Sequence, residues 1–232
     1  MTARERILAA IREGLGRGAL DERSCAPLAA HLDDPRPNRL PAASRGGREA
    51  LLRRFVAKVR RADATLEALP GIDRVPGAVA AQATGTHTVR VAPHAELEAL
   101  DWRAAGLDAR FGPATGDDAV GVARAHAGVA ESGTLVLLSG PESPTTLNFL
   151  PDLHVVVLHA DAVVGAYETV WAGLRDAHGA GSGFLPRTVN WITGPSRTAD
   201  IEQTLHLGIH GPRRLHVLLV GADPDEASSA EA

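Results

Sequence analysis

The sequence predicts an α/β fold in which helices flank a layered, mostly parallel sheet, and two observations lead to this fold class. Short segments at 134–138 and 155–158 are almost entirely apolar, which is typical of strands covered on both faces of a sheet. These segments alternate with longer stretches of helical periodicity, such as 166–178, and this alternation favours parallel strands joined by helices. A length of 232 residues is sufficient for one sizeable core.

The individual elements follow from periodicity and from the residues that bound each segment. The first helix carries Ile7, Leu8 and Ile11 on one face, and Thr2 with Glu5 forms the pattern of a capping box. Helices are predicted at 1–17, 48–69, 95–105, 166–178 and 199–207. Strands are predicted at 88–91, 109–111, 120–123, 134–138, 155–158, 188–192 and 215–220.

The sequence divides into three segments. Residues 1–47 are expected to form an N-terminal amphipathic helix and a linker arm, because Pro35 and Pro37 are incompatible with regular helix in the second half of this segment. Residues 48–222 carry the α/β pattern. Residues 223–232 are small and acidic, which predicts a disordered tail.

The overall composition excludes several classes of partner. A net charge of −4 offers no basic surface for nucleic acid, and no apolar run approaches the roughly 18–20 residues that cross a membrane. Charges at Arg4 and Glu5 interrupt any signal-peptide core, so we expect a cytoplasmic protein. Cys25 is the only cysteine and Lys58 the only lysine, which excludes a four-cysteine iron–sulfur cluster and a phosphate-loop lysine in this chain. We therefore expect no cofactor of its own.

The first polar segment that could carry chemistry precedes the strand at 134–138. Glu131, Ser132, Gly133 and Thr134 stand at the predicted sheet edge, where Gly133 permits a tight turn. A carboxylate held there beside backbone N–H groups could act as a nucleophile, as a base or as a hydrogen-bond anchor. A purely structural glutamate that accepts bonds from the turn is the alternative.

The second polar segment lies between the strand at 188–192 and the helix predicted at 199–207. Ser196 or Thr198 could cap that helix, and Arg197 could add a fork that suits a carboxylate or a phosphate. Ligands collect at the carboxyl ends of parallel strands and at helix N-termini, which favours anion binding here, although plain helix capping explains the same residues. The candidate ligand-binding residues of this segment are Gly194, Pro195, Ser196, Arg197, Thr198, Asp200 and Glu202.

Two weaker features remain. Asp152 and His154 open a strand after Pro151 and could line a pocket, or they could be ordinary structural polar groups. His206 and His210 have helical spacing but lack the adjoining glutamate of a zinc motif, so no metal site is expected.

These segments together resemble a known family. The sequence at 130–137, 150–154, 193–202 and 207–212 is similar to that of the LUD-domain family, and in particular to the C component of the three-protein lactate-utilisation system. The similarity covers about residues 48–222. It implies a fold related to the sugar-phosphate isomerase and CoA-transferase superfamily. It also implies a role in the oxidation of L-lactate to pyruvate beside a cysteine-rich A-type component and an iron–sulfur B-type component, whose clusters would lie in those partner chains.

Three functions are compatible with this resemblance. The chain could be a non-redox subunit of the lactate-oxidising system that binds a small anion. It could instead be a transferase, because Glu131 stands in a setting similar to that of the nucleophilic glutamate of CoA transferases, from which it departs at Ser132. The third possibility is a regulatory or scaffolding subunit without chemistry. Whether the chain is an enzyme stays open at this point.

Overall fold

The computed structural model describes residues 1–16, 18, 20–33, 39–179, 185–198, 204 and 206–223, without the side chains of residues 32 and 33. The chain divides into two compact units, Met1–Arg39 and Leu40–Ala232. No helix in these described ranges is long and apolar enough to cross a membrane.

The N-terminal unit contains two helices, α1 (Ala3–Gly14) and α2 (Glu22–Asp33). The capping box predicted for α1 is present: the Glu5 N–H donates to Thr2 Oγ1 at 3.2 Å, and the Thr2 N–H donates to Glu5 Oε2 at 2.7 Å. The expectation of a non-helical linker from residue 18 is wrong for α2. Asp21 accepts from the Ser24 N–H at 2.7 Å and starts this helix, and Pro27 lies within it at the cost of one hydrogen bond.

The described residues of the larger unit form strands interspersed with helices. In chain order, the helices are α3 (Arg48–Arg61), α4 (Val75–Gln82), α5 (Ala95–Glu98) and α6 (Tyr167–His178). The strands are β1 (Thr65–Leu69), β2 (Thr88–Val91), β3 (Asp108–Phe111), β4 (Val120–Arg124), β5 (Ala127–Val129), β6 (Thr134–Leu138), β7 (Leu153–His159), β8 (Val163–Val164), β9 (Val189–Ile192), β10 (Arg197–Thr198), β11 (His206–Leu207) and β12 (Arg214–Val220).

The main sheet has six strands in the order β1-β12-β7-β4-β2-β3, and all of its pairings are parallel. The prediction of a mostly parallel sheet flanked by helices is therefore confirmed. The central strands β7 and β12 are almost entirely buried, which explains their apolar runs at 155–158 and 217–220. The helix predicted at 48–69 is shorter than expected. The chain turns at Asp63, which has a φ of 59°, and residues 65–69 form strand β1 instead of helix.

A second sheet, in the order β8-β5-β6-β9, covers part of one face of the main sheet together with α3. Phe55 and Val59 of α3 pack into this interface, and Leu135 of β6 joins them from the smaller sheet. The opposite face of the smaller sheet packs against α6. Helices α4 and α5 cover the other face of the main sheet. The result is a layered α/β arrangement in which α3 lies beside both sheets.

The segment after β9 differs from its prediction. A helix had been expected at 199–207, but β10 pairs antiparallel with β11, so Thr198 and His206 are register partners in a short ladder. The Gly208 N–H donates to the Ser196 carbonyl at 2.9 Å and extends this ladder. Residues 199–203 and 205 of the expected helix, and 224–232 of the expected tail, lie outside the described residues. The anion site at a helix N-terminus, with Ser196 or Thr198 as its cap, is therefore not what the described backbone forms.

Candidate functional site

A cavity of about 230 Å³ opens at the amino ends of β7 and β12, beside the end of β9. His154 and Leu215 line it from the main sheet, where they are register partners. This position differs from the expectation of a ligand at the carboxyl ends of the strands. The lining residues are Asn148, Phe149, His154, Trp191, Ile192, Gly194, Pro195, Ser196, Arg197, His210, Gly211, Pro212 and Leu215.

The turn that follows β9 forms one wall, and the end of α3 fixes it in place. Gly194 has a φ of +74°, and a side-chain carbon at this position would lie 2.2 Å from the Ala62 carbonyl oxygen. Arg197 donates from Nη2 to the same carbonyl at 3.2 Å and forms an ion pair with Asp63. A cation is favourable at this position, because unpaired carbonyl groups accumulate at the end of a helix.

Ser196 links this turn to the loop before β12. Its N–H donates to the Pro212 carbonyl at 2.9 Å, and its Oγ accepts from the His210 N–H at 3.2 Å. Parts of the two segments that resembled the family motif therefore contact each other, and residues 194–197 and 210–212 together form one side of the cavity. The Ser196 hydroxyl contributes to the shape of this wall through its bond to the loop.

The inner wall holds buried polar atoms that lack protein partners. His154 is fully buried, and neither Nδ1 nor Nε2 has a hydrogen-bond partner among the described residues. Burial lowers the pKa of His154 to about 3, so the ring is neutral near pH 7. The Oδ1 atom of Asn148, also buried, is equally unpartnered within the described part of the chain. Such atoms are costly unless something binds them.

The first polar segment forms a hydroxyl cluster outside this cavity. Thr134 is fully buried, and its Oγ1 lies 2.7 Å from Ser132 Oγ, 2.7 Å from Tyr167 OH and 2.6 Å from Thr193 Oγ1. The bond to Thr193 joins the two predicted polar segments directly. Gly133 adopts a φ of +73° against the backbone of α3, which explains the glycine. Ser132, Gly133 and Thr134 therefore stand beside the cavity wall without lining it.

The remaining predicted residues occupy different places. Glu131 is half-buried, and its side chain has no hydrogen-bond or ion-pair partner among the described residues, but it does not line the cavity. Asp152 is exposed and lies 3.7 Å from Arg213 Nε. Thr198 lies in β10, and Asp200 and Glu202 lie outside the described residues.

Several lining residues were not predicted from the sequence. Asn148 ends a short 3-10 helix (Thr145–Asn148) before β7, and Trp191 belongs to a strand whose sequence did not indicate which face lines a cavity. Pro212 was indicated only by the family motif, and His210 only by that motif and by its spacing from His206, which was not expected to form a metal site. A signal for Asn148 did exist: a polar residue between Leu147 and Phe149 and close to His154, in a stretch that is otherwise largely apolar.

Charged side chains at the opposite, carboxyl edge of the main sheet are paired with one another. Arg124 donates to Glu96 at 2.8 Å, and His159 Nε2 lies 2.8 Å from the same carboxylate. Partial burial alone would raise the pKa of Glu96, but His159 and Arg124 hold it below its ordinary value. The ion pair between Arg90 and Asp118, at 3.2 Å, lies instead toward the amino end of β4, because Arg90 is the register partner of Gly121. Because these charges compensate each other, this edge offers fewer free groups to a ligand than the cavity does.

Comparison with known proteins identifies the family. A family model described as the LUD domain matches residues 91–220, which is more than half of the chain. The chain belongs to the LUD-domain family. The predicted resemblance to this family is therefore confirmed. Within the described ranges, no set of three or more histidine, cysteine, aspartate or glutamate side chains is placed to hold a metal ion.

Individual relatives agree with the family assignment. The chain is 37% identical over 101 residues to lactate utilization protein C of Geobacillus thermodenitrificans, covering 44% of this chain and 42% of the relative. It is 36% identical over 111 residues to an uncharacterized protein of Neisseria meningitidis, covering 48% and 45%. The chain thus matches less than half the length of these curated relatives.

A solved structure supports the fold of this LUD-domain chain. The crystal structure of a DUF162 family protein from Deinococcus radiodurans superimposes with a TM-score of 0.54 at 24% identity, covering 76% of this chain and 100% of that protein. At this identity the likeness shows the fold alone.

Proposed function

We propose that this chain serves lactate utilisation as a non-redox component of an iron–sulfur system, and that it binds a small carboxylate in the cavity at the amino ends of β7 and β12. The similarity to proteins named lactate utilization protein C supports the pathway. The absence of cluster-forming cysteines in the sequence fits a division of labour in which A-type and B-type partners carry the electrons.

The ligand proposal rests on a guanidinium group and on unpartnered buried polar groups that line one cavity. Arg197 lines the same cavity as His154 and Asn148. Protein interiors rarely leave such atoms without partners, and exceptions concentrate where a ligand completes the bonding. The volume of about 230 Å³ suits a small metabolite better than a nucleotide-sized cofactor.

The arrangement of Arg197 supports a carboxylate as the ligand. Its ion pair with Asp63 and its bond to the Ala62 carbonyl orient the guanidinium. An arginine side chain has five N–H donors in a planar fork, so these two contacts leave donors for a further acceptor. A carboxylate matches that fork, and charge-assisted hydrogen bonds are the strong ones.

Replacing Arg197 is expected to weaken carboxylate binding by about 10-fold to 100-fold, because a hydrogen bond to a charged group contributes about 1.5–3 kcal/mol. The measurement is isothermal titration of L-lactate into the unmodified protein and into Arg197→Gln. Arg74→Gln is the matched control, since Arg74 is exposed, remote from the cavity and paired with Asp73. Equal affinities of all three proteins would remove Arg197 from the site.

The assembly part of the proposal has its own test. Affinity purification of the tagged chain from its native extract at low ionic strength should retain a cysteine-rich protein and an iron–sulfur protein. Iron content and visible absorption of the eluate identify the cluster-bearing partner. Recovery of the chain alone under these conditions would contradict membership of such a system.

A covalent role for Glu131 is the second candidate, favoured by a carboxylate that has no partner among the described residues. In this reaction the Glu131 carboxylate would attack an acyl thioester, forming an acyl anhydride and releasing the thiolate of CoA. Hydroxylamine would then capture the acyl group as a hydroxamate. We expect no hydroxamate, and no effect of Glu131→Gln on L-lactate binding, because Glu131 does not line the cavity. Stoichiometric hydroxamate that is lost in Glu131→Gln would favour the transferase instead.

A further inference from the structure

Strand β3 forms one edge of the main sheet. Among the described residues it pairs with β2 alone and stands last in the strand order. The Asp108 N–H donates to the His87 carbonyl at 2.7 Å, so the backbone of position 108 faces β2. In a parallel ladder, residues that bond to the neighbouring strand alternate with residues that face away from it. The N–H and carbonyl groups of Ala109 and Phe111 therefore point outward from the edge, where another strand can pair with them.

The space beside this edge is open. A groove of about 530 Å³ lies along it, and Ala109, Phe111 and the buried Trp102 are among its lining residues. Phe111 is 38% exposed, although it is a large apolar residue. Because outward backbone groups and an apolar side chain occur together here, the edge has both the room and the bonding groups for an added strand.

The charges on β3 show which strand fits. Asp108 and Arg110 point to the same face of the strand and pair with each other at 3.1 Å, with 60% and 58% of their side chains exposed. Such an exposed pair contributes little within its own strand, so its members can exchange partners at small cost. Opposite charges two residues apart are complementary to a copy of the same strand that runs in the antiparallel direction.

The outward groups allow three two-fold antiparallel registers, and charge distinguishes them. A register centred on Arg110 places this arginine opposite its own copy, and one centred on Asp108 does the same for the aspartate. Centring on Ala109 instead places each Asp108 opposite Arg110 of the second copy. Side chains directly opposite in an antiparallel pair lie about 4.5–5.5 Å apart, where opposite charges stabilise and like charges destabilise.

We propose that this chain forms a two-fold dimer in which β3 pairs antiparallel with β3 of a second copy, centred on Ala109. The two Ala109 residues exchange a pair of backbone hydrogen bonds, and each Asp108 forms an ion pair with Arg110 of the other chain. In this register Phe111 stands opposite position 107 of the second copy, which reduces its exposure. The two six-stranded sheets become one continuous sheet. This inference goes beyond the proposed function and is independent of the carboxylate site, because no residue of β3 lines that cavity.

Sedimentation velocity of the full chain from about 5 to about 200 µM measures the dimer, since a short interface belongs to the weaker class of specific contacts. Arg110→Asp places aspartates opposite each other at both positions, and Asp108→Arg does the same with arginines. We expect each substitution to raise the dissociation constant of the dimer at least about tenfold. An equimolar mixture of the two variants should form a heterodimer about as stable as the unmodified dimer, because every charge then again faces its opposite. This recovery would also show that both variants are folded.

Arg74→Asp is the matched control. It reverses another exposed arginine that pairs with a neighbouring aspartate, but Arg74 follows β1, the strand at the opposite edge of the sheet. We expect it to leave the dissociation constant unchanged. A chain that stays monomeric at the highest concentration, or a dimer that both single substitutions leave intact, would overturn the pairing. Variants that fail to dimerise when mixed would overturn the register. None of these results alters the L-lactate titration of Arg197→Gln, so failure of the dimer and failure of the carboxylate site are distinguishable.

Discussion

Lowering the pH from 6.5 to 4.5 is expected to reduce the free energy of unfolding by about 4 kcal/mol, because two buried histidines must stay neutral in the folded protein. Burial lowers the pKa of His154 to about 3. Burial, followed by the nearby Arg214, lowers the pKa of His216 to about 4. Both side chains are almost completely buried.

The direction of this effect follows from proton binding. In the unfolded chain both imidazoles titrate near pH 6.5, so below that pH the unfolded state binds more protons than the folded state. The stability they contribute is therefore fully present above pH 6.5 and is lost as the pH falls toward 4 for His216 and toward 3 for His154. Burial, with smaller contributions from Arg124 and His178, also lowers the pKa of His126, which acts in the same direction.

Urea unfolding at half-unit intervals between pH 7 and pH 4.5 measures this dependence. The variant His154→Leu removes one of the two buried imidazoles, so its loss of stability over the same interval should be about 2 kcal/mol smaller. An unchanged slope in this variant would mean that His154 is hydrated or paired in the folded protein, which would contradict its place in the cavity wall.

Gly194→Ala is expected to lower the free energy of unfolding by about 3 kcal/mol or more and to abolish ligand binding. Gly194 has a φ of +74°, a conformation that costs a residue with a side chain about 1–2 kcal/mol. In addition, the new Cβ would lie 2.2 Å from the Ala62 carbonyl oxygen, so the turn must move away from α3. That displacement would carry Arg197 out of position, because Arg197 is bonded to the same carbonyl.

Gly221→Ala is the matched control for this substitution. Gly221 has nearly the same φ, +76°, but a side-chain carbon there meets no atom within 4 Å. Its substitution should cost only the conformational part, about 1–2 kcal/mol, and should leave L-lactate affinity unchanged. Similar losses in the two variants, measured by urea unfolding, would show that the contact between Gly194 and α3 does not stabilise the turn.

The sequence predicted the central strands of the main sheet well because their apolar runs have a single physical cause. The strands β4, β7 and β12 are covered on both faces, so their buried residues are apolar apart from His154 and His216. The helices were harder to delimit. In the stretch 48–69, helical periodicity continued through residues that the tertiary structure uses as β1, since pairing with β12 buries Leu69.

The second polar segment illustrates what sequence can and cannot give for the site. Glycine, proline, serine and arginine at 194–197 indicated a turn with ligand-binding groups, and all four of these residues line a cavity. The expected helix after them is absent at 206–207, because these residues pair with β10 in a short antiparallel ladder that helical periodicity does not reveal. The position of the cavity at the amino edge depends on how β9 lies over β7 and β12, which no local pattern specifies.

Asn148 and Glu131 also show that the sequence alone does not identify which polar residues line the cavity. Glu131 stood out as a carboxylate beside a glycine, yet its turn packs on α3 and leaves it outside the cavity. Asn148 gave only a weak signal in the sequence, as a polar residue between two apolar ones, and its burial with an unpartnered oxygen marks it as a candidate ligand-binding residue.

A crystal structure of the chain grown with L-lactate tests the central claim most directly. The account predicts one lactate molecule in the cavity, with its carboxylate within hydrogen-bond distance of the Arg197 guanidinium group. A cavity that holds only water at saturating lactate, or a lactate bound elsewhere with Arg197 still directed at Asp63 alone, would contradict it.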